Sequence, residues 1–73
     1  MNAHQMIELL NRNPFEPIEI HLTNGTVIRI DHPYQTATAP QSSHCIIHGE
    51  SESEPVRYVA YRNMAEVKVQ LPA

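Results

Sequence analysis

Apolar residues recur at three- and four-residue spacing near the start of the chain, at Ala3, Met6, Ile7 and Leu10. That spacing predicts a short amphipathic helix over residues 2–12. Asn2 suits the N-cap, and Gln5, three residues on, completes a capping box. Glu8 and Arg12 stand in the favoured i,i+4 order, and Arg12 suits the negative end of the helix dipole. Pro14 disfavours helical geometry at Asn13 and ends the segment. A helix of about three turns does not hold its shape alone, so its apolar stripe must dock on something.

From Pro17 onward the period changes to two. Ile18, Ile20 and Leu22 alternate with Glu19, His21 and Thr23, and Ile28 and Ile30 alternate with Val27 and Arg29. The pattern predicts strands over 17–23 and 26–31, joined at Asn24-Gly25. A two-residue turn would set Ile20 opposite Arg29 and make the apolar faces disagree. A three-residue loop, Thr23-Asn24-Gly25, sets Ile20 opposite Ile28, Ile18 opposite Ile30 and Glu19 opposite Arg29. Since a one-residue slip turns every side chain to the other face, the pattern selects the three-residue loop. It implies a type I turn with Gly25 left-handed in a bulge.

Residues 32–42 carry two prolines and many small polar residues, which predicts an irregular connection. Residues 43–49 read as a third strand with Ser43, Cys45 and Ile47 on one face and His44, Ile46 and His48 on the other. Its apolar content is divided between the two faces. The acidic stretch around Glu50, Glu52 and Glu54 reads as a solvated hairpin loop. Residues 56–61 make a fourth strand, Arg62-Asn63-Met64 a turn, and residues 65–71 a fifth strand. In that last strand Ala65, Val67, Val69 and Leu71 point inward and Glu66, Lys68 and Gln70 outward. Strands without crossover helices form antiparallel sheets. The expected architecture is α+β and mostly β. A short N-terminal helix precedes a five-stranded, strongly bent antiparallel sheet or small barrel, in a single domain over 1–73.

Two resemblances follow from these segments. The run NPFEPIEIHLTNG, then VIRIDHP and YVAYRNMAEVKV, resembles a group of small uncharacterised bacterial proteins abundant in planctomycetes. Their pattern falls on Pro14, Phe15, Pro17, His21, Leu22, Asn24 and Gly25, with His32-Pro33 after it. That resemblance covers nearly the whole chain and implies a family without an established activity. More distantly, a short helix followed by five bent strands is similar to the Sm-like or SH3-like barrel. Ala60-Tyr61-Arg62-Asn63 before the last strand is similar to the segment joining the final Sm strands. The Asp and Gly signatures of the Sm RNA pocket and the Tyr-Lys-His element of its bacterial version have no counterpart here. The Sm resemblance implies topology, edge-strand assembly into homo-oligomers and, secondarily, RNA binding. Fold likeness alone does not transfer function.

Composition narrows the function classes. Five Lys and Arg face eight Asp and Glu, for a formal net charge of -3. Nucleic-acid binders draw most of their affinity from neutralising phosphates, so this balance disfavours them. Cys45 is the only cysteine, so no internal disulfide forms. The N-terminus lacks a basic segment followed by an apolar run, and no apolar stretch approaches a membrane span. The expected location is the cytoplasm. With 73 residues the chain has room for one thin core and little for a deep cavity.

Histidine is the one enriched chemical residue: His4, His21, His32, His44 and His48. On a strand, His44 and His48 would sit about 13 Å apart, too far to share one metal. His21 and His44 could meet across strands, but no carboxylate or cysteine spacing completes a ligand set. Cys45 beside a histidine resembles a nucleophile and base, yet a reactive cysteine needs an electropositive, partly exposed setting. Two glycines cannot make a phosphate-cradling loop. Arg57, Tyr58, Tyr61 and Arg62 interleave rings and cations as single-strand binders do, but Arg57 and Tyr61 share one strand face and Tyr58 takes the other, so packing in the core and rim is the stronger reading of the rings. Arg57, Tyr61, Arg62 and Lys68 are the candidate contacts for a partner or RNA. The expected function is a non-enzymatic protein-interaction or self-assembly module without a cofactor. Its partner would be a second copy or another protein, met through an edge strand. An Sm-like RNA-binding module comes second. A metal or enzymatic site on His21, His44 and Cys45 comes last.

Overall fold

The computed structural model describes residues 1–49 and 53–70. Helix α1 covers Ala3–Leu10, with both arms of the Asn2/Gln5 capping box formed. Those two bonds satisfy backbone donors that the first helical turn leaves open. Ala3 and Met6 are buried, and Leu9 and Leu10 pack at the margin of the core. The helix stops two residues short of the expected end, with Asn11 as its C-cap. Arg12 therefore lies beyond the helix, and pairs with Glu16 at 3.4 Å rather than with Glu8.

Six strands follow among the described residues: β1 (Ile18–Leu22), β2 (Val27–Ile30), β3 (Thr36–Ala37), β4 (His44–Ile47), β5 (Arg57–Ala60) and β6 (Met64–Val69). The β1–β2 hairpin has the register that its apolar pattern requires, with Ile20 opposite Ile28 and Glu19 opposite Arg29. The Gly25 N–H donates to the Leu22 carbonyl at 3.0 Å, and the Leu22 N–H to the Thr26 carbonyl at 2.8 Å. Gly25 has φ of 91°, the left-handed conformation this bulged turn demands.

The single five-stranded barrel does not form. The strands make two three-stranded antiparallel sheets, β2-β1-β6 and β3-β4-β5. The reason lies at residues 33–35, within the stretch expected to be irregular. Pro33 opens a 3₁₀ turn over Pro33–Gln35, which interrupts the strand after Ile30. Proline has no N–H to continue a ladder. The chain leaves the first sheet there and re-enters the second as β3, which pairs with the end of β4.

The last strand also differs from its periodicity. It begins at Met64, which is buried, while Ala65 is exposed. The register with β1 jumps from Leu22↔Met64 to His21↔Glu66, so Ala65 is the extra residue of a bulge. A bulge shifts the alternation by one, which is why Met64 turns inward in place of Ala65. Leu71, expected on the inner face, and Glu50 and Glu52 of the expected acidic loop lie outside the described residues. The inner faces of both sheets and α1 share one core, in which Met6, Ile18, Ile20, Ile30 and Cys45 are fully buried.

Candidate functional site

The four candidate contact residues do not form one surface. Arg57 opens β5 and is exposed, and Arg62 is exposed in the 3₁₀ turn Tyr61–Asn63. Lys68 is exposed on β6, in the other sheet. Tyr61 is only 5% exposed and belongs to the core. Its hydroxyl lies 2.6 Å from the Thr38 hydroxyl, and its N–H donates to the Ser43 carbonyl at 3.0 Å. Burial raises the Tyr61 hydroxyl pKa above its ordinary value, so the ring stays neutral. Tyr61 therefore fastens the 38–43 connection to the second sheet and cannot stack on a base. The 3₁₀ turn takes Tyr61 out of the strand and inward. The open ring of this segment is Tyr58, 72% exposed.

Lys68 does not begin a basic stripe either. On the outer face of the first sheet Glu19 stands between Arg29 and Lys68 across the strands, a row of alternating sign. Lys68 Nζ is also 3.6 Å from Glu66. Arg29 Nε donates to Asp31 at 2.7 Å, a contact that raises the guanidinium pKa still further. In the neighbouring row His21 Nε2 lies 2.5 Å from Glu19 and faces Glu66 across the pair. Opposite charges placed this way knit a sheet face together.

The residues of the third-ranked chemistry are separated as well. Cys45 is buried and its thiol pKa is raised, first of all by burial. A thiol held that way stays protonated and a poor nucleophile at neutral pH. His44, its neighbour in β4, is exposed, because adjacent strand residues point to opposite faces. His21 belongs to the other sheet. Among the described residues, no three His, Cys, Asp or Glu side chains gather where they could hold a metal ion.

Gln35 is a structural residue that the periodicity did not single out. It is 3% exposed and sits where the two sheets meet. The Asp31 and His32 N–H groups both donate to its Oε1 at 2.9 Å. Its Nε2 donates to the His48 carbonyl at 3.2 Å, and the His48 N–H returns a bond to the Gln35 carbonyl at 2.7 Å. One side chain thus joins the end of β2 to the end of β4. The signal for it was present: Gln35 stands three residues after His32, as Gln5 does after Asn2.

The sheet edges are the remaining feature. In an antiparallel ladder alternate residues turn their N–H and C=O groups towards opposite neighbours. The Gln70 N–H donates to the Pro17 carbonyl at 2.9 Å, which fixes the phase of the β1–β6 pair. Glu66 and Lys68 therefore bond to β1, while the backbone groups of Val67 and Val69 point away from the sheet. By the same count Val27 and Arg29 point outward from β2, and Tyr58 and Ala60 from β5. A cleft of about 400 Å³ runs beside β2, lined by Arg29, Asp31 and Gln35 on one side and Ile47, His48 and Arg57 on the other. Its charges are mixed in sign. A second groove, about 360 Å³, separates α1 from the first half of β6 and is lined in part by Glu8, Leu9, Ala65 and Val67. Among the described residues no helix is long and apolar enough to cross a membrane. No family model matches the chain, and no curated protein or solved structure matches it.

Proposed function

We propose that this domain is a non-enzymatic binding module that works by strand addition at a free sheet edge, with β6 as the working edge. The observation that carries this reading is the position of β6, six residues long and last in its sheet. Among the described residues no strand pairs with its outer side, and its outward groups at Val67 and Val69 offer a template for another strand. Main-chain bonds supply the attraction in this mode, and side chains on the two faces select the partner. The cytoplasm is its expected setting. A second reading, an RNA-binding module of Sm-like type, draws support from the exposed ring of Tyr58 on the strand that also carries the exposed cation Arg57. The net charge of -3 weighs against it.

The first reading is tested by NMR titration of the dilute protein with a seven-residue alternating valine–threonine peptide. The Val67 and Val69 amide signals are expected to shift and their exchange to slow. The same peptide N-methylated along its bonding edge is expected to leave them unchanged. Equal shifts with both peptides, or none with either, would overturn strand addition at β6.

A further inference from the structure

We infer that the strand added to β6 is β6 of a second copy of this chain, antiparallel about a two-fold axis centred on Val67. This rests on the strand-addition reading and names its partner. Register selects this partner. A two-fold pairing centred on Val67 sets Val67 against itself and Glu66 against the partner's Lys68, twice by symmetry. Paired residues share a face, so the charges meet on the outer face, where Glu66 and Lys68 are 60% and 59% exposed. The backbone phase agrees. Val67 is an outward-pointing residue, so its N–H and C=O meet those of the partner's Val67 at the axis. Centring the axis two residues away, on Ala65 or Val69, breaks both charge pairs. The centre on Val67 alone satisfies charge and backbone together, and an interface of this kind is self-complementary by construction.

The surroundings fit this partner. The groove between α1 and β6 opens beside Ala65, the residue that the axis sets against the partner's Val69. Leu9 and Val67 give that valine apolar contact. The bulge at Ala65 shortens the regular edge and so weakens the association.

Charge reversal tests the register. Light scattering and sedimentation of the wild-type chain are expected to show a monomer–dimer equilibrium. Glu66→Lys and Lys68→Glu each oppose like charges twice and are expected to weaken the dimer about tenfold. An equimolar mixture of the two variants restores opposite charges across the axis and is expected to associate as the wild type does. Both side chains are exposed, and thermal melting of each variant confirms its fold. A dimer indifferent to both reversals, or assemblies larger than a dimer, would overturn the two-fold pairing. A chain that stays monomeric while the valine–threonine peptide still binds β6 would overturn the second copy as partner and leave strand addition standing.

Discussion

Replacing Gln35 by methionine is expected to destabilise the domain by about 3 kcal/mol. Methionine keeps much of the glutamine's length but offers neither the acceptor for the Asp31 and His32 N–H groups nor the donor for the His48 carbonyl. Each partner left unsatisfied in a partly buried place costs roughly 1–3 kcal/mol. A domain of this length has on the order of 4–10 kcal/mol in total, so the loss takes a large share. Because the bonds join β2 to β4, the effect has a location as well as a size. Urea unfolding followed by circular dichroism gives the size. Amide exchange gives the location, with protection falling first around β3 and the end of β4. A change below about 1 kcal/mol would mean that Gln35 does not hold the sheets together.

Ile20→Ala is expected to cost a similar amount, about 3–4 kcal/mol, by a different route. Ile20 lies on the central strand of its sheet and is 0% exposed. It faces Ile28 on one side and Val67 on the other. Truncation removes apolar contact and leaves a cavity that two neighbouring strands, tied by their ladders, collapse into only partly. The loss should appear as a lower urea midpoint with an unchanged slope. Unlike Gln35→Met, it should loosen α1 and the first sheet together, because Met6 and Ile20 share the core. A change within the roughly 0.5 kcal/mol of an ordinary surface substitution would place Ile20 outside the core that stabilises the fold.

These two residues also show what the sequence discloses. Ile20 and the hairpin register were legible, because within a hairpin the alternation of faces is a local code. Glu19 opposite Arg29 and Gly25 in the turn follow from that code alone. The capping box at Asn2 and Gln5 was legible for the same reason, its partners being three residues apart. The break in the barrel was not. Pro33 and its neighbours read correctly as a departure from strand, but periodicity does not say that the chain resumes as β3 in another sheet. The bulge at Ala65 was hidden too, since an inserted residue leaves apolar and polar positions alternating on either side of it. Tyr61 reads as the last residue of a strand, because the 3₁₀ turn that carries it inward has no period of its own over three residues.

The candidate site followed the same division. The exposed cations Arg57, Arg62 and Lys68 were legible as surface residues, but their distribution over two sheets depends on the break at residues 33–35. The free edge of β6 follows from the strand order, which no local pattern contains. Its charge register, by contrast, stands in the sequence as Glu66-Val67-Lys68 and acquires meaning only once β6 is known to be an edge.

The most direct test of β6 as the working edge is residue-resolved amide exchange on the unmodified chain across a concentration series. Glu66 and Lys68, bonded to β1, should exchange slowly at every concentration. Val67 and Val69 should exchange freely in dilute solution and slow progressively as concentration rises. If Val67 and Val69 remain freely exchanging throughout, with and without the added strand peptide, then β6 is a solvated edge and the domain's function lies elsewhere on its surface.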